Sequence, residues 1–357
     1  MKGGSIVKKA ALFMITFTLI LSCGCSAWMN GSYASIRPHK EQNFQPEQTL
    51  VTPKDYEDVE QILVGMIRTG QQTKTISLEK MGDNWRKIVA DAVRYVTDVF
   101  PLGAYAVLDI DYDIGTSGTK PALAVEITYR RSIADIGAVQ NVETEEDIAS
   151  IIHEALRTYD LTVAFSIADY HAIDFVQIVR DYALFYPQYV MEVPRISAMM
   201  YPQNQPDRIV ELTFHYDTSR TSMRQMQQQV DRIFSAAEIY VSGEGTDREK
   251  YELLYSFLIN RFNYTEQTSI TPAYSLLHHG VGDNKAFASV YAAMCRQAGL
   301  ECQVISGTRD GKAWHWNLIT IDDTVYHLDL LRCRDSGEFF YREAQTMTDY
   351  VWDYSAY

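Results

Sequence analysis

The sequence predicts an α+β fold: two α-β-α-β-β repeats followed by a further α+β domain. Three observations predict this class. Segments with helical and with strand periodicity alternate along the chain, a set of sequence blocks recurs in the same order, and a Gly-rich break precedes the last third. At 357 residues, with 46% hydrophobic and 22% charged residues, the chain can form two or three ordinary folded domains.

The first residues have the pattern of an export signal. Lys8 and Lys9 precede an apolar run, 10–22, that is too short to span a bilayer. The run ends at Cys23-Gly24-Cys25, which is similar to a bacterial lipoprotein cleavage box. We expect lipidation at Cys23, with Cys25 as the alternative. The other interpretation is a plain secretory signal with incidental cysteines.

The leader implies a location for the mature protein. Residues 1–22 are the predicted signal peptide, and an acylated cysteine would tether the chain to the extracytoplasmic face of the cell membrane. Residues 23–52 are polar, contain Pro38 and Pro46, and show no apolar periodicity. They predict a flexible linker between the membrane and the first folded module.

The net charge of the chain limits the classes of partner that it is expected to bind. The formal net charge is −14, and removal of the leader lysines would make it more negative. An acidic protein repels the phosphate backbone, so we do not expect nucleic acid as a partner. Neutral or basic partners fit this charge better.

Two stretches of the chain repeat each other. We interpret residues 53–135 and 142–218 as two copies of one module. The matching pairs of blocks are 57–69 with 146–158, 85–95 with 175–185, and 125–129 with 210–214.

Each copy has the same predicted order of elements. An amphipathic helix comes first, then a short strand, a second helix and a closing β-hairpin. The predicted strands are Thr73–Leu78 and Leu161–Ser166, and the predicted second helices are Trp85–Val99 and Ala172–Phe185. Glu126 and Glu211 alternate with core residues in the last strand of each copy, so we expect both side chains to face solvent.

A helix is predicted between the repeats and the last domain. Apolar residues recur at helical spacing from Met223 to Ala237, which indicates a packing face. The sequence Ser242-Gly243-Glu244-Gly245 interrupts the pattern. We therefore assign 219–245 as a connecting helix and linker, and 246–357 as the last domain.

The last domain begins with a capping box at Thr246–Glu249 and an apolar helix. A second helix starts near Asn284 and stops at Gly299-Leu300. Three strands follow, Cys302–Gly307, Trp314–Ile321 and Thr324–Leu330.

This order resembles the transglutaminase-like superfamily, whose members have the papain-like cysteine protease fold. The family pattern has a cysteine in a Cys-x-x-aromatic-Ala run, a Gly-Leu turn, a His-x-Trp-Asn strand, and a strand that ends in aspartate. In this chain the corresponding segments are Asn284–Ala288, Gly299-Leu300, Trp314–Asn317 and Tyr326–Asp329. The tail from Met347 through Tyr354 also resembles the family's ending.

The resemblance implies a degenerate catalytic triad. In the family a thiolate at a helix N-terminus is the nucleophile, an imidazole takes its proton, and a carboxylate orients the imidazole. The nucleophile position falls on Asn284 and the histidine position on Trp314, while Asp329 is retained. An amide is not a usable nucleophile, and an indole only donates.

Three other arrangements of chemically active side chains are conceivable in the last domain. A strand bulge could bring His315 into the base position. Cys295 shares a helix face with Asn284 but lies about 16 Å further along the axis, so it cannot replace the nucleophile. A metal site from His278, His279, His315, His327 and Asp329 is disfavoured because vicinal loop histidines are usually solvated, and we expect neither a metal nor a cofactor.

Beyond the leader, the three remaining cysteines are Cys295, Cys302 and Cys333. We expect buried free thiols. A Cys302–Cys333 bridge is the alternative.

The sequence thus predicts a lipid-anchored binding or scaffolding protein with an inactive transglutaminase-like domain. Its expected ligand is a peptide, a protein or a cell-wall glycan, bound around Asn284, Trp314, His315, Trp316 and Asp329. One alternative is an active amide hydrolase or acyl transferase that uses His315, His327 and Asp329. Another is a structural envelope protein in which the repeats bind the partner.

Overall fold

The computed structural model describes residues 50–243, 245–266, 272–337, 339 and 341–353. The predicted signal peptide, both candidate lipidation cysteines, linker residues 23–49 and Tyr354 lie outside the described residues. Within the described ranges, every helix is too short or too polar to cross a membrane.

The first folded segment places two helices against a three-stranded antiparallel sheet. The helix α1 begins after the N-cap Asp55 and ends at Gly70, which has φ of 66°. Strand β3 lies in the middle of the sheet order β1-β3-β2. The elements are α1 Tyr56–Thr69, β1 Thr73–Ser77, α2 Trp85–Asp98, α3 Pro101–Ala106, β2 Val107–Ser117 and β3 Lys120–Tyr129.

The second folded segment has the same order of helix, strand, helix and hairpin. Its sheet order is β4-β5-β7-β6, with the short β4 parallel to β5. The predicted pattern did not include three short elements, the helices α3 and α4 and the strand β4. The duplication itself stays a prediction. The elements are α4 Ile133–Gly137, β4 Gln140–Val142, α5 Glu145–Thr158, β5 Thr162–Ile167, α6 Phe175–Phe185, β6 Arg195–Tyr201 and β7 Arg208–His215.

The prediction that Glu211 faces solvent is wrong. Its side chain is buried, with 9% of the residue exposed. Arg131, which follows β3, donates to Glu211 Oε2 at 2.5 Å, and its guanidinium lies 4.8 Å from the ring centre of Tyr105. The first and second segments are therefore joined by an ion pair whose partners are far apart in sequence. Glu126, in contrast, is exposed.

The last segment packs helices against one face of a four-stranded antiparallel sheet. The sheet order is β12-β11-β10-β13, and α10 lies against β10 and β11. The elements are α7 Arg220–Val241, α8 Asp247–Ile259, β8 Asn263–Tyr264, α9 Pro272–His279, β9 Val281–Gly282, α10 Asn284–Gln297, β10 Cys302–Arg309, β11 Lys312–Ile321, β12 Thr324–Leu328, α11 Leu330–Ser336 and β13 Tyr350–Trp352.

The helix α7 belongs to the core of the last segment. Its buried residues include Met223, Val230 and Phe234, and they share one hydrophobic cluster with α8, α9 and α10. Tyr159 and Met191 of the second segment enter the same cluster. This continuous core packs the second segment against the last one, and Arg296 of α10 donates to the backbone oxygen of Phe185.

Candidate functional site

The site lies where α10 begins, beside strand β11. Asp283 is the N-cap of α10, because its side chain accepts a hydrogen bond from the backbone N–H of Ala286 at 2.8 Å. Asn284 is consequently the first residue of the helix and its amide is free for another contact. Its Oδ1 accepts from both the backbone N–H and Nδ1 of His315, each at 3.0 Å.

This contact determines the proton position on His315. A backbone N–H can only donate, so the atom that receives it must be the amide oxygen of Asn284. The same oxygen can only accept from Nδ1, which therefore carries the ring proton and leaves the lone pair on Nε2. Burial, with a smaller contribution from Lys285, lowers the pKa of His315 to about 4. His315 is neutral near pH 7.

Asp329 is the second centre of the site. Its Oδ2 accepts from Trp314 Nε1 at 2.8 Å, from Tyr350 Oη at 2.7 Å and from Arg309 Nη1 at 3.1 Å. Only 6% of Asp329 is exposed. Three donors, one of them a guanidinium, thus surround one carboxyl oxygen.

The other carboxylate oxygen holds the start of α11. Asp329 is the N-cap of that helix, and its Oδ1 accepts from the backbone N–H groups of Leu331 at 3.0 Å and Arg332 at 3.1 Å. With five donors on two oxygens, the carboxylate has no free lone pair directed at a substrate. Its contacts make Asp329 a structural group.

Trp314 and His315 lie on opposite faces of β11, as alternation along a strand requires. Trp314 points to Asp329 on one face, and His315 points to Asn284 on the other. The ring of Trp314 also lies 6.3 Å from that of Tyr264 and 5.1 Å from the guanidinium of Arg309. The bulge that would bring His315 to Asp329 is absent from the register of β10 and β11, which is continuous from Cys302 to Arg309.

The structure removes Trp316 from the predicted binding residues. Its ring is 1% exposed and packs with Ile305, Met347 and Tyr350, so no ligand can reach it. Its Nε1 donates to His327 Nδ1 at 2.9 Å, so the proton of His327 is on Nε2. Burial lowers the pKa of His327 to about 4, and this imidazole is neutral as well.

Two functional partners of Asp329 were missed by the sequence reasoning. Arg309 ends β10 and Tyr350 begins β13, and neither lies in one of the family's motif positions. The tail from Met347 matched the family's ending, and this likeness was the one available signal for Tyr350.

The described cysteines of the last segment are buried and form no disulfide: Cys295, Cys302 and Cys333. The thiol of Cys295 contacts Cys302 and Tyr291, and burial raises its pKa well above the ordinary value. A protonated, enclosed thiol is a poor nucleophile. The Cys302–Cys333 bridge is absent.

The histidines considered for a metal site are dispersed. His315 is bonded to Asn284 and His327 to Trp316, while His278 and His279 pack on Tyr274. Across the described parts of the chain, no three His, Cys, Asp or Glu side chains are grouped as metal ligands.

A cavity of about 70 Å³ lies beside Lys285 and Ser289 of α10, closed from the other side by Leu184 and Val193 of the second segment. A larger cavity of about 760 Å³ lies on the opposite face of the sheet, next to Leu318, and does not include Asn284 or Asp329. Of the three triad positions, Asn284 and Trp314 are half-buried and Asp329 is buried.

Comparison with known proteins supports a transglutaminase-like domain in the last third of the chain. Residues 235–337 match the family model of the transglutaminase-like superfamily. The match begins within α7 and ends just after α11, so it contains Asn284, Trp314 and Asp329. No curated protein matches the chain significantly.

Solved structures are similar at low identity. A TGase crystal structure aligns over 62% of this chain and 64% of its own length, with 10% identity and a TM-score of 0.29. This chain thus spans less than two thirds of that protein. A candidate cysteine protease from Cytophaga hutchinsonii covers 44% of this chain and 70% of its own, with 12% identity and a TM-score of 0.26. A candidate protease from Parabacteroides distasonis covers 46% and 39%, with 11% identity and a TM-score of 0.24.

Proposed function

Starting from the transglutaminase-like domain that the chain carries at residues 235–337, we propose that this domain is catalytically silent. The protein is a lipid-anchored, extracytoplasmic binding or scaffolding protein that recognises peptide, protein or cell-wall glycan. The contact between Asn284 Oδ1 and His315 is the observation on which this proposal depends. At the position where the family has a thiol, Asn284 has an oxygen that only accepts hydrogen bonds.

The first argument concerns the nucleophile. Acyl transfer by a cysteine enzyme requires a sulfur that loses its proton to a neighbouring base and then attacks a carbonyl. The oxygen of Asn284 has no proton to give, and its amide nitrogen does not attack carbonyls. His315 has a free Nε2 lone pair, but its other nitrogen is bonded to Asn284 rather than to a carboxylate. No proton relay of the triad type can form here.

The second argument concerns the carboxylate. In a working triad the aspartate orients an imidazole. Here Asp329 accepts from the Trp314 indole, which cannot take up a proton near pH 7. Arg309 and Tyr350 complete the same oxygen's contacts. The network preserves the fold of the strand ends without providing a base.

The remaining surface is suited to recognition rather than turnover. Trp314, His315, Tyr264 and Lys285 are half-buried around the start of α10. They offer aromatic surface, one imidazole acceptor and one cation to a ligand that lies along the cleft. Aromatic rings beside polar groups are a usual composition for binding peptides and sugars.

Introducing a thiol at position 284 tests the proposal of a catalytically silent site. In Asn284→Cys, the thiol would lie at the N-terminus of α10 and beside the ring of His315, which together stabilise a thiolate. We expect alkylation by iodoacetamide at pH 7 at least about tenfold faster than in Asn284→Cys combined with His315→Phe. Equal rates for the two variants would show that the cleft is not a disarmed cysteine site.

The proposed location has a separate test. Labelling of growing cells with a fatty-acid probe should modify the natural chain and the Cys25→Ala variant but not Cys23→Ala. Labelling of the natural chain and of Cys23→Ala, but not of Cys25→Ala, would move the anchor to Cys25. No labelling of the natural chain would reject the lipid anchor.

A further inference from the structure

The strand β2 forms an open edge of the first sheet. It runs from Val107 to Ser117, and the sheet order β1-β3-β2 places it outermost. The opposite edge, β1, is partly covered by a bridge from Val51 to Ile76. In the parts of the chain that the structure describes, no strand pairs with the outer side of β2.

The backbone groups that face outward from β2 can be identified. Along β3, Ile127 N–H donates toward β1 at Gln72 O, and Pro121 O accepts from Leu78, so odd-numbered residues of β3 bond toward β1. Even-numbered residues of β3 then bond toward β2, where Glu126 is opposite Asp111. Because bonding directions alternate along a strand, Ile110, Tyr112 and Ile114 direct their N–H and C=O groups outward.

The two faces of this edge differ in chemistry. Asp109, Asp111 and Asp113 are all exposed on the face away from the helices. On the other face, Ile110 is buried but Tyr112 is 37% exposed and Ile114 57% exposed. A strand added beside β2 would therefore meet carboxylates on one face and apolar side chains on the other.

The acidic face is not neutralised within the fold. Asp111 and Glu126 are directly opposite in the register, an arrangement that destabilises a sheet when both carry the same charge. None of the ion pairs between described residues includes these two or Asp109 and Asp113. A cation brought to this face would relieve the repulsion.

We propose that the outer edge of β2 binds an extended segment of a partner protein as an added strand. The partner segment alternates basic and apolar residues, so that its basic side chains lie beside Asp109, Asp111 and Asp113 and its apolar ones beside Tyr112 and Ile114. A second copy of this chain is a poor occupant, since pairing two β2 edges would oppose two acidic rows. The site is separate from the transglutaminase-like domain.

Synthetic peptides added to the natural full-length chain test this site. We expect a peptide alternating Lys and Val to bind, and its twin alternating Glu and Val not to bind. Binding should slow amide hydrogen exchange at Ile110, Tyr112 and Ile114. N-methylation of the Lys-Val peptide on its pairing side should abolish binding, because the added strand depends on main-chain hydrogen bonds.

A charge-reversal variant separates specific docking from net charge. Asp111→Lys with Asp113→Lys should bind the Lys-Val peptide about tenfold more weakly at low salt, and the difference should shrink as salt rises. Glu143→Lys with Glu301→Lys, at exposed sites in other segments, makes the same change in net charge and should bind normally. The reversal relieves the repulsion at Glu126, so we expect its melting temperature not to fall.

Several results would overturn the proposal. Absence of Lys-Val binding, equal binding of the Glu-Val or N-methylated peptide, or equal weakening in both charge variants would each reject it. Protected amides at Ile110, Tyr112 and Ile114 in the free chain would show that the edge is already filled, by a second copy or another segment.

Discussion

At the scale of single residues, the two buried histidines of the last segment carry their protons on different nitrogens. Asn284 Oδ1 requires a proton on Nδ1 of His315, whereas Trp316 donates to Nδ1 of His327 and leaves the proton on Nε2. We expect ¹⁵N chemical shifts near pH 7 to report these opposite tautomers, with His315→Gln used for assignment. The same tautomer at both rings would contradict one of the two contacts.

The same histidines predict how stability depends on pH. Burial lowers the pKa of both to about 4 from an ordinary value of 6.5. Between these values the unfolded chain binds more protons, so the free energy of unfolding falls as the pH drops from 6.5 toward 4. NMR titration should show both rings neutral at pH 5.5, each with its single ring proton. A midpoint near 6.5 for His315 would contradict its burial beside Lys285.

Removal of the Asp329 carboxylate should be costly for the fold. Asp329→Ala leaves Arg309, Trp314 and Tyr350 without their shared acceptor and removes the N-cap of α11. We expect a loss of about 3 kcal/mol or more in denaturant unfolding.

The matched control for that variant is Asp335→Ala. Asp335 is exposed and bonded only to its neighbour Arg334 among its described salt bridges, so its removal should change stability by about 0.5 kcal/mol or less. Similar effects for the two variants would mean that Asp329 does not organise the strand ends.

Motif spacing was enough to place Trp314 and Asp329, because Trp314 lies in β11 and Asp329 directly follows β12, two strands whose register the family pattern fixes. It could not supply Arg309 or Tyr350, which reach Asp329 from strands β10 and β13 through three-dimensional packing. The sequence predicted a helix that starts near Asn284 but not the contact that its amide makes. The structure makes Asp283 the N-cap, which leaves the Asn284 amide for His315.

At the scale of elements, Gly307 fixes the approach of β13 to β10. A Cβ at Gly307 would collide with the backbone oxygen of Val351 and lie 2.8 Å from Cη2 of Trp316. Gly307→Ala should therefore push β13 away and destabilise the protein by about 2 kcal/mol or more. Denaturant unfolding measures the loss.

A second glycine serves as the control for this substitution. Gly65 lies in the exposed middle of α1 with no atom within 4 Å of a built Cβ. Gly65→Ala should stabilise the protein by about 0.5–1 kcal/mol. If Gly307→Ala were as well tolerated as Gly65→Ala, the close packing of β13 would be disproved.

Hydrophobic periodicity predicted the long helices and strands, but it did not predict the residues at which they begin. The predicted helix Ala172–Phe185 begins at Phe175, because Asp174 caps it by accepting from the N–H of Gln177. The strand predicted from Trp314 begins at Lys312, since Asp310 and Gly311 both have positive φ and form a tight hairpin turn. The three-residue β4 has too little sequence to show a period.

At the scale of the whole molecule, α7 unites the segments. The stripe from Met223 to Val241 is buried in the core of the last segment. A fragment of residues 246–357 lacks six buried apolar side chains, a loss on the order of 10 kcal/mol that matches the whole stability of an ordinary domain. We expect this fragment to be unfolded by circular dichroism and a fragment of residues 219–357 to be folded. Cooperative unfolding of 246–357 alone would contradict this.

Contacts between the folded segments could not be predicted from the sequence. Arg131 and Glu211 are separated by three helices and three strands, and no local pattern pairs them. The stripe on α7 did predict a packing face, because helical period is a local property. Its partners in α8 and α10, and the entry of Tyr159 and Met191 into the same core, depend on tertiary structure.

The proposed catalytic inactivity is tested most directly by measuring whether the natural chain converts peptide substrates. The chain is incubated with peptides that contain glutamine and lysine, while ammonia release and peptide masses are followed. We predict no ammonia, cleavage or cross-linking above the buffer control. Turnover above that control, and its loss in His315→Gln with the fold intact, would contradict the proposed function.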